Sequence, residues 1–172
     1  MKELDLPYLS AMGLAELIRT RAVSPVEVTD ALLRRIERIN GQLNAYCTID
    51  ERQVRAKARD SEAALMRGEI RGPLHGVPFS VKDMIFTAGQ RTTGGCKIFS
   101  DFVPEEDAAT VARLKNAGAI CIGKTNTATL GYSGVCDNLM FGATKNPWNQ
   151  ALTPGGSSGG AAAAVAAGLG PL

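Results

Sequence analysis

The seven residues Pro154-Gly155-Gly156-Ser157-Ser158-Gly159-Gly160, with the alanine-rich run at 161–168 behind them, restrict this chain more than any other stretch. Glycine reaches backbone conformations that other residues avoid, so N–H groups and small hydroxyls in such a loop can come close to a bound group. Alanine is the strongest helix former. The local reading is a tight loop feeding the N-terminus of a buried helix of small residues. Helix N-termini carry unpaired N–H groups and the positive end of the dipole, so a loop of this kind is suited to hold something at close range. Two nucleotide-binding loops do not fit. A phosphate-binding loop ends in Gly-Lys-Ser/Thr, and residues 154–172 contain no lysine. The dinucleotide fingerprint follows a strand directly, and no strand pattern abuts this loop. Alone, the loop reads as an anion-holding turn, or as a helix start whose serines are caps.

The residues upstream read as scaffold. The spacing at 8–22 predicts a short amphipathic helix, with Ser10 as N-cap and Leu14, Leu17 and Ile18 on one face. Ser24-Pro25-Val26-Glu27 is a capping box with proline at the first helical position. Val28, Leu32, Leu33, Ile36 and Ile39 mark one face of that helix, and Asn40-Gly41 is its expected stop. Residues 45–49 read as a strand, and Asp50 caps a third helix over 51–67.

A turn-rich connector at 71–78 leads into a strand-like segment at 79–85, with the charged pair Lys82-Asp83 inside an apolar stretch. Glu105-Glu106-Asp107 places acids at the start of a helix that stops at Gly118, where the dipole favours them. Residues 119–123 read as a buried strand. Helix, glycine, apolar strand is an α/β rhythm. Residues 131–156 form a long irregular connection, and a loop of that length in a compact domain usually has a function.

Several functions fall away on composition. The formal net charge is only +2, no basic block stands out, and Trp148 is the only tryptophan, so neither nucleic acid nor an acidic membrane is indicated as a partner. Cys47, Cys96, Cys121 and Cys136 are widely scattered and His75 is the only histidine, so no metal-ligand set is expected and no cofactor is implied. The cysteines read as reduced thiols of a cytoplasmic protein. No apolar run is long enough to span a bilayer.

Lys82 and the two loop serines are the residues with chemistry to offer. Lys82 reads either as a strand-end lysine reaching water or pairing with Asp83, or as a desolvated amine with a lowered pKa, able to act as a general base. Val81, Met84 and Ile85 around it favour burial. His75 could be proposed as the base of a Ser-His pair, but packing within the connector is the expected role.

Four stretches, in this order, resemble the amidase signature family: Gly76-Val77-Pro78-Phe79-Ser80-Val81-Lys82-Asp83, Gly123-Lys124-Thr125-Asn126, Phe141-Gly142-Ala143-Thr144-Lys145-Asn146-Pro147-Trp148, and the glycine-serine loop. The resemblance runs along nearly the whole chain. It implies an α/β fold, a mixed β-sheet flanked by helices, of which residues 1–172 form the N-terminal part of a single domain. The helical lead-in would cover about 8–67 and the α/β core part about 74–172. It implies hydrolysis or transfer of an amide group by a Ser–cis-Ser–Lys triad. Lys82 stands at the catalytic lysine and Ser157 at the bridging serine, which follows a cis peptide in the family. Gly131 and Ser133 fall in a segment lining the acyl pocket, and Ser158 is a structural neighbour that caps the helix. The chemistry is coherent by itself: a neutral lysine takes a proton through a hydroxyl that accepts one proton while donating another.

The family's nucleophilic serine lies roughly two dozen residues beyond the bridging one, in a second glycine-rich turn, and the family is much longer than this chain. The expectation is an incomplete fold that is inactive alone, either a fragment or a truncated gene product of an enzyme that turns a small carboxylic amide into acid and ammonia. The A subunit of a tRNA-dependent amidotransferase is the alternative within the family. It is disfavoured because Leu130-Gly131-Tyr132-Ser133-Gly134 lacks the expected acidic, methionine-containing pattern. A non-enzymatic anion-binding module is the alternative of another class. Association as a homo-oligomer or through exposed strand edges is a further expectation.

Overall fold

The computed structural model describes residues 6–172. A 3-10 turn, Leu6–Tyr8, precedes helix α1, Ala11–Arg19. Helix α1 starts where the Ser10 hydroxyl accepts from the Gly13 amide at 3.1 Å. Helix α2, Pro25–Leu43, begins on a complete capping box: the Glu27 amide donates to Ser24 Oγ and the Ser24 amide donates to the Glu27 carboxylate. Two otherwise unpaired N–H groups are thereby satisfied at once.

The predicted stop of α2 at Asn40-Gly41 is wrong. The helix runs on to Leu43, and Asn44 takes the left-handed cap conformation at φ 54°. Asn40 stays inside the helix because its side-chain amide bonds forward along the chain. Its Oδ1 accepts from the Ala45 and Tyr46 amides and its Nδ2 donates to the Tyr46 carbonyl, fastening the helix end to the next strand.

Strand β1 is Tyr46–Thr48, and helix α3, Glu51–Met66, starts on Asp50, which accepts from the Gln53 amide. Strand β2, Pro78–Lys82, helix α4, Ala109–Asn116, strand β3, Ile120–Thr125, and helix α5, Gly159–Ala166, follow, with two further 3-10 turns at Lys97–Phe99 and Thr129–Gly131. The three strands form one mixed sheet in the order β1-β3-β2, with β1 antiparallel and β2 parallel to β3. Every residue of the central strand β3 is buried. Alternation along β3 sends Ile120 and Ile122 to one core, with Leu14, Ile18, Val28, Leu32 and Val54, and Cys121 to a second core with Phe79, Val81 and Val111. Helices therefore cover both faces of the sheet.

Two further expectations need correction. The acids at 105–107 do not begin α4, whose N-cap is Ala108 with no side-chain cap. Asp107 instead accepts from the Ala88 amide at 2.8 Å and from Lys115 Nζ at 2.7 Å, which pins α4 to the loop before it. Helix α5 is not buried all round. Gly159, Gly160, Ala163 and Ala164 are buried, while Ala162, Val165 and Ala166 are exposed. A helix built wholly of small apolar residues has no polar stripe to mark its outward side, so its sequence cannot say which face is covered.

Candidate active site

Lys82 is the last residue of β2, paired in register with Thr125 of β3. The chain leaves the sheet there in a tight turn, with the Met84 and Ile85 amides both donating to the Lys82 carbonyl. The Lys82 side chain does not pair with its neighbour Asp83. Its Nζ lies 2.6 Å from Ser157 Oγ. Partial burial pushes the Lys82 pKa below the ordinary lysine value, opposed by Cys136. Loss of hydration disfavours the charged form of an amine, so the shift favours the free base.

Ser157 is held by the segment that continues β3. Its carbonyl accepts from Thr127 Oγ1 at 3.0 Å and from the Ala128 amide at 3.2 Å. The peptide bond from Gly156 to Ser157 is cis. Gly160 lies directly on the same segment: a Cβ there would stand 2.4 Å from both the nitrogen and the oxygen of Asn126. Gly156 likewise faces the backbone of Gly134 and Val135, where a Cβ would come within 2.7 Å. The glycines at 156 and 160 thus serve backbone-to-backbone packing, and the Ser157 hydroxyl is what the loop offers to Lys82.

The long connection at 131–156 is ordered by buried amides. Asn126 Nδ2 donates to the Gly142 carbonyl and to Thr144 Oγ1, and Asn138 Nδ2 donates to Asn126 Oδ1 at 2.7 Å. The Cys136 amide donates to the Gly155 carbonyl, joining this connection to the glycine-serine loop.

The structure brings together three of the five residues singled out in the sequence. Gly131 borders the Lys82–Ser157 pair; a Cβ on it would lie 3.7 Å from Ser157 Oγ and 3.0 Å from Met84 Sδ. Ser133 makes a local turn bond, accepting from the Val135 amide. Ser158 occupies the N-cap position of α5, but its side chain makes no capping bond and the residue is exposed, so the expected hydroxyl cap is absent. Its carbonyl accepts the first helical amide, from Ala162. His75 is buried in the connector, its Nδ1 accepting from the Arg71 amide and its Nε2 bonded to the Ser61 carbonyl. Both ring nitrogens are occupied by backbone groups, as the packing role requires. All four cysteines are free thiols.

Beside the site lies a charged cluster that sequence reasoning does not single out. Lys124 and Asp83 are both fully buried. Lys124 Nζ donates to the Ile85 carbonyl at 2.6 Å, to Thr92 Oγ1 at 2.9 Å and to Thr87 Oγ1 at 3.0 Å. Burial brings its pKa down to about 8, against the pull of Asp83. Asp83 accepts from the amide and hydroxyl of Thr93, and burial raises its pKa, with those bonds opposing. The available signal is a lysine directly following the apolar run 119–123, within a strand pattern that leaves it no way to water.

A family model described as Amidase matches residues 27–172. An acylamidase from Rhodococcus erythropolis is 44% identical over 172 residues, which is all of this chain and 36% of that protein. The A subunit of the glutamyl-tRNA(Gln) amidotransferase of Moorella thermoacetica is 44% identical over 165 residues, 96% of this chain and 34% of that protein. Among solved structures, the native peptide amidase from Stenotrophomonas maltophilia superposes with a TM-score of 0.89 at 32% identity, covering 96% of this chain and 36% of that one. The chain belongs to the amidase signature family. It has the family's mixed α/β architecture and spans about a third of the length of the curated relatives it matches.

Proposed function

We propose that the protein carrying this chain hydrolyses a small carboxylic amide to acid and ammonia, with Lys82 as general base and Ser157 as the bridging hydroxyl. The observation that carries this reading is the 2.6 Å contact between Lys82 Nζ and Ser157 Oγ, made by an amine whose pKa is lowered by burial. The free amine takes the Ser157 proton while Ser157 Oγ accepts the proton of a second serine. That second serine attacks the amide carbonyl carbon. Collapse of the tetrahedral adduct expels ammonia, which leaves with a proton returned through the same two groups. Water then cleaves the acyl ester by the same relay, releasing the acid.

Gly131 borders this pair, and we assign it to the wall of the acyl pocket, with Ser133 further along the same turn. Ser158 is a neighbour without a chemical role. Residues 8–67 and 74–172 act as one domain in this reading, sharing the core formed by Leu14, Val28, Ile122 and Ala163. Among the described residues no helix is long and apolar enough to cross a membrane, and the reading places the enzyme in the cytoplasm.

Among the described residues Ser157 Oγ meets Lys82 and no second hydroxyl, so residues 1–172 by themselves are read as inactive. The test is ammonia release from simple amides by residues 1–172 and by a longer chain extended through a second glycine-rich turn with serine. Release by the longer chain alone is expected. Release by residues 1–172, abolished by Lys82→Ala, would overturn the inactive reading.

A second reading, the A subunit of an amidotransferase, draws support from curated relatives of that name, such as the one from Moorella thermoacetica. Glutamine-dependent ammonia release that requires further protein chains would select it over a stand-alone hydrolase.

A further inference from the structure

The mechanism proposed above uses Lys82 and Ser157 but leaves Lys124 without a task. A lysine with no exposed surface is costly to keep unless its ammonium is fully bonded. Lys124 meets that condition with three acceptors, and all three lie in one segment, residues 85–92. That segment begins at the turn that carries Lys82.

The connections run in both directions from this turn. The Lys82 carbonyl accepts from the Met84 and Ile85 amides, and the Ile85 carbonyl is tied across to Lys124 on the neighbouring strand. The Asp83 amide donates to the Thr125 carbonyl, and the Asp83 carbonyl accepts from the Gly94 amide at 2.6 Å. The Gly94 carbonyl then accepts from the Leu130 amide at 2.7 Å, one residue before Gly131, which abuts Met84 and Ser157. One hydrogen-bonded chain therefore links the exit of the lysine strand to the wall beside the serine.

We infer that Lys124 is a positioning residue for Lys82. By fastening Ile85, Thr87 and Thr92 to β3, it holds the turn that aims the Lys82 amine at Ser157. A buried ammonium suits this task better than a neutral group. It supplies three donors from one point, and bonds from a charged donor are stronger than neutral ones. The inference rests on the reading of Lys82 as the base. The titratable groups around Lys124 are Asp83, Cys121, Cys47 and Lys115, and the one bearing on Lys82 is Cys136.

The test uses the full-length enzyme with Lys124→Met, Thr87→Val, Thr92→Val and Lys82→Met, each checked for folding by circular dichroism. The valine variants each remove one acceptor at nearly constant volume, so they decide the matter where Lys124→Met does not fold. Loosening the clamp should lower kcat by about tenfold or more, as expected for loss of orientation, with KM little changed. It should also move the ascending limb of the kcat/KM pH profile to higher pH, because a freer Lys82 is better hydrated. Folded variants with the wild-type limb and wild-type kcat would overturn the inference, as would losses that only track the unfolded fraction. Full activity in Lys82→Met would instead remove the reading of Lys82 as base. An inactive Lys82→Met beside wild-type-like clamp variants removes only the role of Lys124.

Discussion

Lys82 Nζ and Ser157 Oγ are 2.6 Å apart although 75 positions separate them in the chain. Lys82 ends β2, and Ser157 is held by the backbone and hydroxyl of the segment that extends β3, the strand next to it. The contact is therefore a product of strand pairing. Any change that shifts β2 against β3 should be felt at this pair.

Substitution of either member should cost the enzyme heavily. Lys82→Met and Ser157→Ala are each expected to lower kcat by about 10²–10⁴-fold, the range for loss of a positioned acid-base group. The double variant should be little worse than either single one, because groups that act as one relay are not additive. Steady-state kinetics on one amide substrate, run on all three variants, checks both statements.

The pH dependence follows from the lowered pKa of Lys82. With Lys82 as the proposed base the reactive form is the free amine, so kcat/KM should rise with pH as the ammonium loses its proton. The rise should be centred below about 10.4, the ordinary lysine value. A profile that falls with increasing pH through this region would contradict the assignment.

Lys124 should leave a mark on stability. Its pKa is about 8 in the folded state and about 10.4 in an unfolded chain. Between these values the unfolded chain holds the extra proton, so this group's contribution to stability rises with pH. Below pH 8 both states are protonated and the burial penalty is constant. Urea unfolding of the wild type and Lys124→Met at about pH 7.5 and about pH 10 should therefore show a pH-dependent difference on the order of 2 kcal/mol, favouring the wild type more at the higher pH.

Two glycines should respond oppositely to alanine. Gly160→Ala forces a methyl onto the Asn126 backbone and should destabilise the protein by about 1–3 kcal/mol, as overpacking does. Gly41→Ala meets nothing within 4 Å inside helix α2 and should stabilise by about 0.5–1 kcal/mol through helix propensity. Chemical denaturation reads both, and only Gly160→Ala should also disturb activity, through the loop that carries Ser157.

Ser24→Ala removes one half of the capping box and leaves the Glu27 amide without its partner. A loss of about 1 kcal/mol is expected, with kcat unchanged. Thermal unfolding together with an activity assay separates this scaffold effect from the site effects above.

Local chemistry makes much of the scaffold legible in the sequence. Ser10, Ser24 with Glu27, and Asp50 are capping signals between neighbours, and each cap forms as the spacing requires. Where a residue can bond either locally or farther away, the sequence misleads. Asparagine favours helix stops, yet Asn40 serves Tyr46 from within its helix. Acids favour helix starts, yet Asp107 binds Lys115. Serine is a common capping hydroxyl, yet Ser158 makes no cap.

The sequence by itself determined the family, through four ordered motifs, and the identities of Lys82 and Ser157 as residues to watch. Motifs are strings of neighbours, and a string preserves residue type and order. Only the tertiary structure decided that the two side chains meet, that Gly131 stands against them while Ser133 makes a turn bond, and that Lys124 lies buried under the lysine turn. Those outcomes depend on the register of β2 on β3 and on backbone packing against Gly156 and Gly160. They are set by distances across the fold, which spacing along the chain does not encode.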